Sequence, residues 1–113
     1  MRVCRERRVL DILGMARRAG ALLVGQDKVL SALKGNEAFA VFVTDDCSAH
    51  VSRHIEAAAR RGNADIFLLE GTGRGVLGAS LGVTAAQVAA LPMDSGFVKK
   101  IYTLTCDRSD ANE

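Results

Sequence analysis

The run Phe39-Ala40-Val41-Phe42-Val43-Thr44 is apolar at nearly every position. A strand with one wet face alternates apolar with polar, so a run without alternation predicts a strand covered on both faces. Ile66–Leu69 repeats the pattern, and Gln87–Leu91 repeats it again before Pro92, which closes the strand. Between these runs the apolar spacing becomes helical. From Arg5 to Ala19, Val9, Ile12, Leu13 and Ala16 form one stripe, with Arg8, Asp11 and Arg18 opposite and Gly20 as the stop. The short run Ala21–Val24 reads as a strand, and Gln26–Lys34 reads as a second helix with Val29, Leu30 and Leu33 inward. Asp45-Asp46-Cys47-Ser48 supplies capping groups for a third helix, to about Arg61, with Val51, Ile55 and Ala58 or Ala59 inward. The turn Gly71–Gly75 opens a short helix to Leu81, and Asp94-Ser95 caps a last one to about Leu104. The polar tail from Cys106 is expected to fray.

Helices alternating with short buried strands make an α/β fold, a largely parallel or mixed sheet with helices on both faces. The 113 residues fit one domain, residues 1–113, with no repeat and no dividing linker. Aromatic residues are 4% of the chain, so Val, Leu, Ile and Ala must build the core. The three cysteines, Cys4, Cys47 and Cys106, are far apart and odd in number, which predicts separate reduced thiols. No apolar stretch has the length of a signal peptide core or of a membrane span, so the expected location is the cytoplasm.

Charge is unevenly spread. Residues 1–34 carry eight Lys/Arg against three acids, whereas residues 35–70 carry three Arg against six acids and residues 71–113 balance at four each. The basic first third is where a polyanion would be met, although an ordinary solvated helix face would look the same.

Few motifs point to chemistry. Gly71-Thr72-Gly73-Arg74-Gly75 has neither the spacing nor the following Lys-Ser/Thr of a phosphate loop, and reads as a tight turn. Cys47, His50 and His54 can share a helical face, but a closed zinc site needs four ligands, usually from two elements. No nucleophile stands beside a base and no close carboxylate pair suggests acid–base work, so the chain is expected to be no enzyme and to need no cofactor. The strongest constellation is the turn into the second helix. Gly25 and Gln26 precede a face with Asp27, Lys28, Ser31 and Lys34, opposite Leu30 and Leu33. The helix N-terminus offers N–H groups and the positive dipole end to a phosphate, with Arg17 and Arg18 expected to flank it.

At these residues the chain resembles a known family. Leu13-Gly14-Met15-Ala16-Arg17-Arg18-Ala19-Gly20, then Leu22, Leu23, Gly25, Lys28-Val29-Leu30 and Ala32-Leu33-Lys34, are similar to small bacterial proteins of the YlxQ type. These belong to the kink-turn RNA-binding ribosomal-protein superfamily that includes large-subunit proteins seven-Ae and thirty-e. The likeness continues through Val41–Asp46 and returns over Leu77–Leu91. It implies a three-layer α/β/α sandwich around a four-stranded mixed sheet, and a monomeric, non-catalytic RNA-binding protein. Structured RNA, ribosomal RNA included, is the implied partner.

In the kink-turn binders of that superfamily a Gly-x-Asn-Glu-x-x-Lys run opens the second helix and contacts sheared G·A pairs. Here Gly25 keeps the glycine, while Asp27, Lys28 and Ser31 replace the Asn, Glu and Lys. Asp accepts where Asn both donates and accepts, and Lys28 reverses a charge. The loop Gly82–Ala86, with Val83, Thr84 and Ala85, corresponds to the one that packs on a flipped-out base. The resemblance therefore implies an RNA platform whose kink-turn code is altered. A protein-interaction module that keeps the fold without RNA is the alternative.

Overall fold

The computed structural model describes the backbone of residues 1–111 and the side chains of residues 1–105. The elements run β1 (Arg2–Cys4), α1 (Arg8–Arg18), β2 (Leu23–Val24), α2 (Gln26–Leu33), β3 (Phe39–Thr44), α3 (Ala49–Arg61), β4 (Ala64–Leu69), α4 (Arg74–Leu81), β5 (Val88–Pro92) and α5 (Gly96–Ala111). The strands lie side by side in the order β1-β4-β3-β5-β2. β1 and β3 pair with β4 in parallel, while β5 is antiparallel to both β3 and β2. Four strands therefore point one way and β5 alone runs back.

The α/β class and the mixed sheet agree with the sequence reading, but the sheet has five strands and not four. The added strand is β1, whose Arg2, Val3 and Cys4 pair with Phe67, Leu68 and Leu69. Three residues, of which only Cys4 is buried, carry too little pattern to be seen in sequence. Because β1 takes up the start of the chain, α1 begins at Arg8 and not Arg5. Arg5 sits between the two elements and meets Glu70 at 2.5 Å.

Strand alternation divides the core in two. Ala40, Phe42, Phe67, Leu69, Ala89 and Leu91 face the layer of α1, α4 and α5, with Leu13, Leu77 and Ile101 among the residues that pack on them. Phe39, Val41, Val43, Val88 and Ala90 face α2 and α3, meeting Val29, Leu33, Val51 and Ile55. All six residues of β3 are buried, because it lies between β4 and β5 with helices above and below. Phe42 and Phe67 stack with ring centroids 5.0 Å apart, and burying each such side chain contributes about 1.5–3 kcal/mol.

The expected cap of α3 is present, since the Ser48 hydroxyl accepts from the Val51 N–H at 3.2 Å. Helix α5 continues to Ala111, past the end expected near Leu104. The side chain of Cys106 and the expected fraying of the tail fall outside the described side chains. Neither Cys4 nor Cys47 is disulfide-bonded. No helix among the described residues is long and apolar enough to cross a membrane.

Candidate nucleic-acid interface

Because β1, β2, β3 and β4 point the same way, α1, α2, α3 and α4 all start at one edge of the sheet, each with at most four residues between it and its strand. Each helix start brings unpaired N–H groups and a positive dipole end to that edge. Open α/β sheets bind ligands outside the carboxyl ends of their strands for this reason among others.

Three of the four helix starts are occupied by the chain's own side chains. The Arg8 N–H at the start of α1 donates to the Glu6 carboxylate at 3.3 Å. At α3, Ser48 provides the cap described above, and its own N–H donates to Gln87 Oε1 at 2.8 Å. At α4 the Arg74 N–H donates to Asp46 Oδ1 at 2.9 Å, and the Arg74 guanidinium donates to the Asp46 carbonyl at 2.7 Å. The start of α2 differs. Its cap residue is Gly25, and no side chain accepts from its first turn among the described residues. The open helix terminus at this edge is that of α2.

Gly25 makes this possible. Its φ of 100° and ψ of 150° lie where a side chain is strained, and its N–H donates to the Val88 carbonyl at 2.9 Å. Gln26, Asp27 and Lys28 follow, all exposed. Val88 is also where the loop from α4 arrives. That loop folds back along its own helix, with the Val83 N–H donating to the Gly78 carbonyl at 2.9 Å and the Ala86 N–H to the Arg74 carbonyl at 3.0 Å. A Cβ on Gly78 would stand 2.7 Å from the Ala85 Cα, so the contact needs a glycine. Gln87 then ties the loop to β3, its carbonyl accepting from the Thr44 N–H at 3.0 Å. Thr84 and Ala85 are exposed and Val83 is half-buried. Gly25, Gln26, Asp27 and Lys28 thus share an edge with Val83, Thr84 and Ala85, joined through the Gly25–Val88 hydrogen bond.

The acids of the middle third have specific partners here. Asp45 Oδ2 accepts from the Gly71 N–H at 2.7 Å, and the Asp45 N–H donates to the Thr72 carbonyl at 3.1 Å. Some loss of hydration works against ionisation of the exposed Asp46. The backbone N–H and guanidinium of Arg74 are among the contacts that outweigh it, and hold the carboxyl below its ordinary value. The glycine-rich turn Gly71–Gly75 is therefore a structural joint, its helix start filled by Asp46. Sequence reasoning overlooked Asp46, Arg74 and Gln87 as organisers of the edge. The capping run Asp45–Ser48 was the one signal that marked part of it.

The other expected site residues lie elsewhere. Ser31 is exposed about one turn along α2, and Lys34 is the C-cap at the far end of the eight-residue helix, about 12 Å away. Arg17 and Arg18 end α1, where the Ala21 N–H donates to the Ala16 carbonyl at 2.9 Å. The chain then enters β2, where Leu23 pairs with Ala90 and Val24 with Ala89, and reaches the Val88 end only at Gly25. The two arginines therefore sit at the opposite end of the sheet and do not flank α2's N-terminus. Arg18 instead lies over Gly14, its guanidinium 3.7 Å from where a Cβ would stand there.

On α3, the rings of His50 and His54 are 4.3 Å apart. Among the described residues no group of three or more His, Cys, Asp or Glu is placed to hold a metal ion.

Comparison with known proteins joins this geometry to a lineage. Residues 7–102 match the family described as Ribosomal protein L7Ae/L30e/S12e/Gadd45. The RNA-binding protein YlxQ of Bacillus subtilis is 30% identical over 93 residues, covering 82% of this chain and 90% of that protein. A solved protein of unknown function from Bacillus halodurans superposes with a TM-score of 0.72 at 24% identity, covering 89% of this chain and 99% of that one. The Giardia lamblia 15.5kD RNA binding protein superposes with a TM-score of 0.63 at 13% identity, covering 93% and 91%. These two likenesses are of fold.

Proposed function

Because the chain belongs to the Ribosomal protein L7Ae/L30e/S12e/Gadd45 family, we propose that it binds structured RNA at the edge where α2 begins, and that it catalyses no reaction. The observation that carries this reading is the open N-terminus of α2 beside the loop from α4, while the chain's own side chains fill the other three helix starts. Exposed N–H groups at Gln26–Lys28 suit phosphate or base oxygens. Asp27 suits exocyclic amino groups, which a carboxylate accepts from but never donates to. Thr84 and Ala85, held by Gly78, offer a small, fixed surface for an unstacked base.

The contact set is Gly25, Gln26, Asp27, Lys28 and Ser31 from α2, with Val83, Thr84 and Ala85 from the loop. Lys28 stands where the kink-turn binders have Glu, so the RNA preference is for folded RNA in general, ribosomal RNA included, with weak discrimination for kink-turns. The protein acts as a cytoplasmic monomer. One feature favours the alternative of a protein partner, the Asp27 carboxylate in the first turn of α2, which repels phosphate and compensates the dipole from within.

Pull-down from lysate, with and without ribonuclease, tests the reading. Recovery of RNA with the protein, and loss of co-purifying ribosomal proteins after ribonuclease, are expected. Partners that persist after ribonuclease, with no RNA recovered, would replace RNA by protein as the ligand.

A further inference from the structure

The C-terminal ends of α2 and α3 meet on the opposite side of the molecule from α2's open start, and between them lies a groove lined by Leu30, Leu33, Lys34, Asn36, His54 and Arg61 among others. Gly62 lets the two helix ends approach, since a Cβ there would stand 3.1 Å from the Leu33 carbonyl oxygen. No Asp or Glu lines the groove. Lys34 and Arg61 are exposed and have no ion-pair partner among the described residues, and the nearest acid to Lys34 in the sequence is the exposed Glu37, just past the groove. Basic residues at helix ends are expected to offset the dipole, but two C-termini carry roughly −0.5 charge each. That offsets about one of the two positive charges on Lys34 and Arg61.

The unpaired state of these two basic side chains distinguishes this pole from the other. Around the start of α2 the acids Asp27, Asp45, Asp46 and Glu70 crowd the same edge, and Arg5 and Arg74 are paired with two of them. The two basic side chains of the groove are therefore free to meet phosphates, as the paired Arg5 and Arg74 are not. We propose that this groove is a second contact for the sugar–phosphate backbone of RNA, reached by the stem that continues from the segment held at α2's N-terminus. The helix between the two contacts is about 12 Å long, so a short continuing stem spans it. Apolar Leu30 and Leu33 form the floor, and Lys34 and Arg61 stand at its sides to meet phosphates. This proposal rests on the reading of α2's N-terminus as an RNA contact.

The test uses the whole protein and two RNAs, one internal-loop hairpin with minimal stems and the same hairpin with both stems extended. The native protein is expected to bind the extended RNA more tightly. Lys34→Glu with Arg61→Glu should weaken the extended RNA about tenfold, flatten its log–log salt dependence by roughly 1.5 for two lost contacts, and leave the minimal RNA unchanged. Lys28→Ala should weaken both RNAs. The milder pair Lys34→Gln with Arg61→Gln should give an intermediate loss, which guards against misfolding of the reversed pair.

Equal binding of both RNAs by the native and the Lys34/Arg61 variants, with Lys28→Ala still weakening both, would overturn the groove and leave the first contact intact. Loss of both RNAs in the Lys34/Arg61 variants with Lys28→Ala unaffected would overturn the α2 reading and make the groove the principal contact. Competition by polyglutamate as effective, charge for charge, as that by RNA would overturn the groove as an RNA site and assign it to an acidic protein.

Discussion

The backbone N–H of Gly25 donates to the carbonyl of Val88 at 2.9 Å, and this bond fixes the first turn of α2 against the end of the loop from α4. Gly25 can make it only in a backbone region that costs other residues about 1–3 kcal/mol. Gly25→Ala is expected to lose stability in that range and to lose RNA affinity beyond what the residual unfolded fraction explains. Chemical denaturation and filter binding on the same sample separate the two effects.

Gly78 and Gly75 are both in α4, yet opposite outcomes are expected for them. A Cβ at Gly78 meets Ala85 Cα at 2.7 Å, Ala85 N at 2.8 Å and the Thr84 carbonyl carbon at 2.9 Å, so the loop must move. Gly78→Ala should cost about 1–3 kcal/mol, the usual penalty of overpacking, and displace Thr84 and Ala85 from the edge. Gly75 is exposed and nothing lies within 4 Å of its Cβ position. Gly75→Ala should raise stability by about 0.5–1 kcal/mol through helix propensity. Melting curves of the two variants would show the contrast.

The sheet and its helices were largely legible because each announces itself locally. Phe39–Thr44 could only be a strand covered twice, and the run Asp45–Ser48 could be placed as the cap of α3. What was illegible depends on partners far along the chain. β1 exists because Arg2–Cys4 finds the edge of β4, more than sixty residues away. Asp45 and Asp46 read as capping groups of α3, whereas they accept from the backbone of Gly71 and Arg74, and Glu70 pairs with Arg5. Arg17 and Arg18 are near Gly25 in sequence, yet the chain crosses the sheet between them. The candidate site was therefore half legible, in α2's first turn and the Val83–Ala85 loop, while its charges were misplaced.

Tyr102 is the chain's single tyrosine, so its titration can be followed without overlap. Burial, then the hydrogen bond to Asp65 and its negative charge, push the phenol from 10.0 up to about 12, with Arg2 opposing. The folded value is raised above the unfolded one. The stabilisation is therefore complete below about pH 10 and lost as pH rises through about 12. Near-ultraviolet absorbance should show a late phenolate transition, and denaturant midpoints should fall across that window. In Asp65→Asn the transition should move down towards 10.

Restoring the side chains of the kink-turn binders in α2's first turns gives a gain-of-function test. Asp27→Asn, Lys28→Glu and Ser31→Lys, made together, should raise the preference for a kink-turn over a plain duplex, each recovered base contact being worth about 1–3 kcal/mol of discrimination. All three positions are exposed, so the fold should survive. Competition binding with both RNAs provides the readout.

Backbone amide mapping by nuclear magnetic resonance, during titration of the uniformly labelled protein with a folded RNA at low salt, tests the central claim most directly. Expected are the largest shifts at Gly25–Lys28, Ser31 and Val83–Ala85, the two segments joined by the Gly25–Val88 hydrogen bond, with weakening on added salt. Saturable RNA binding that leaves both segments unmoved would contradict the assignment of this edge, and no shifts anywhere at millimolar RNA would contradict RNA binding itself.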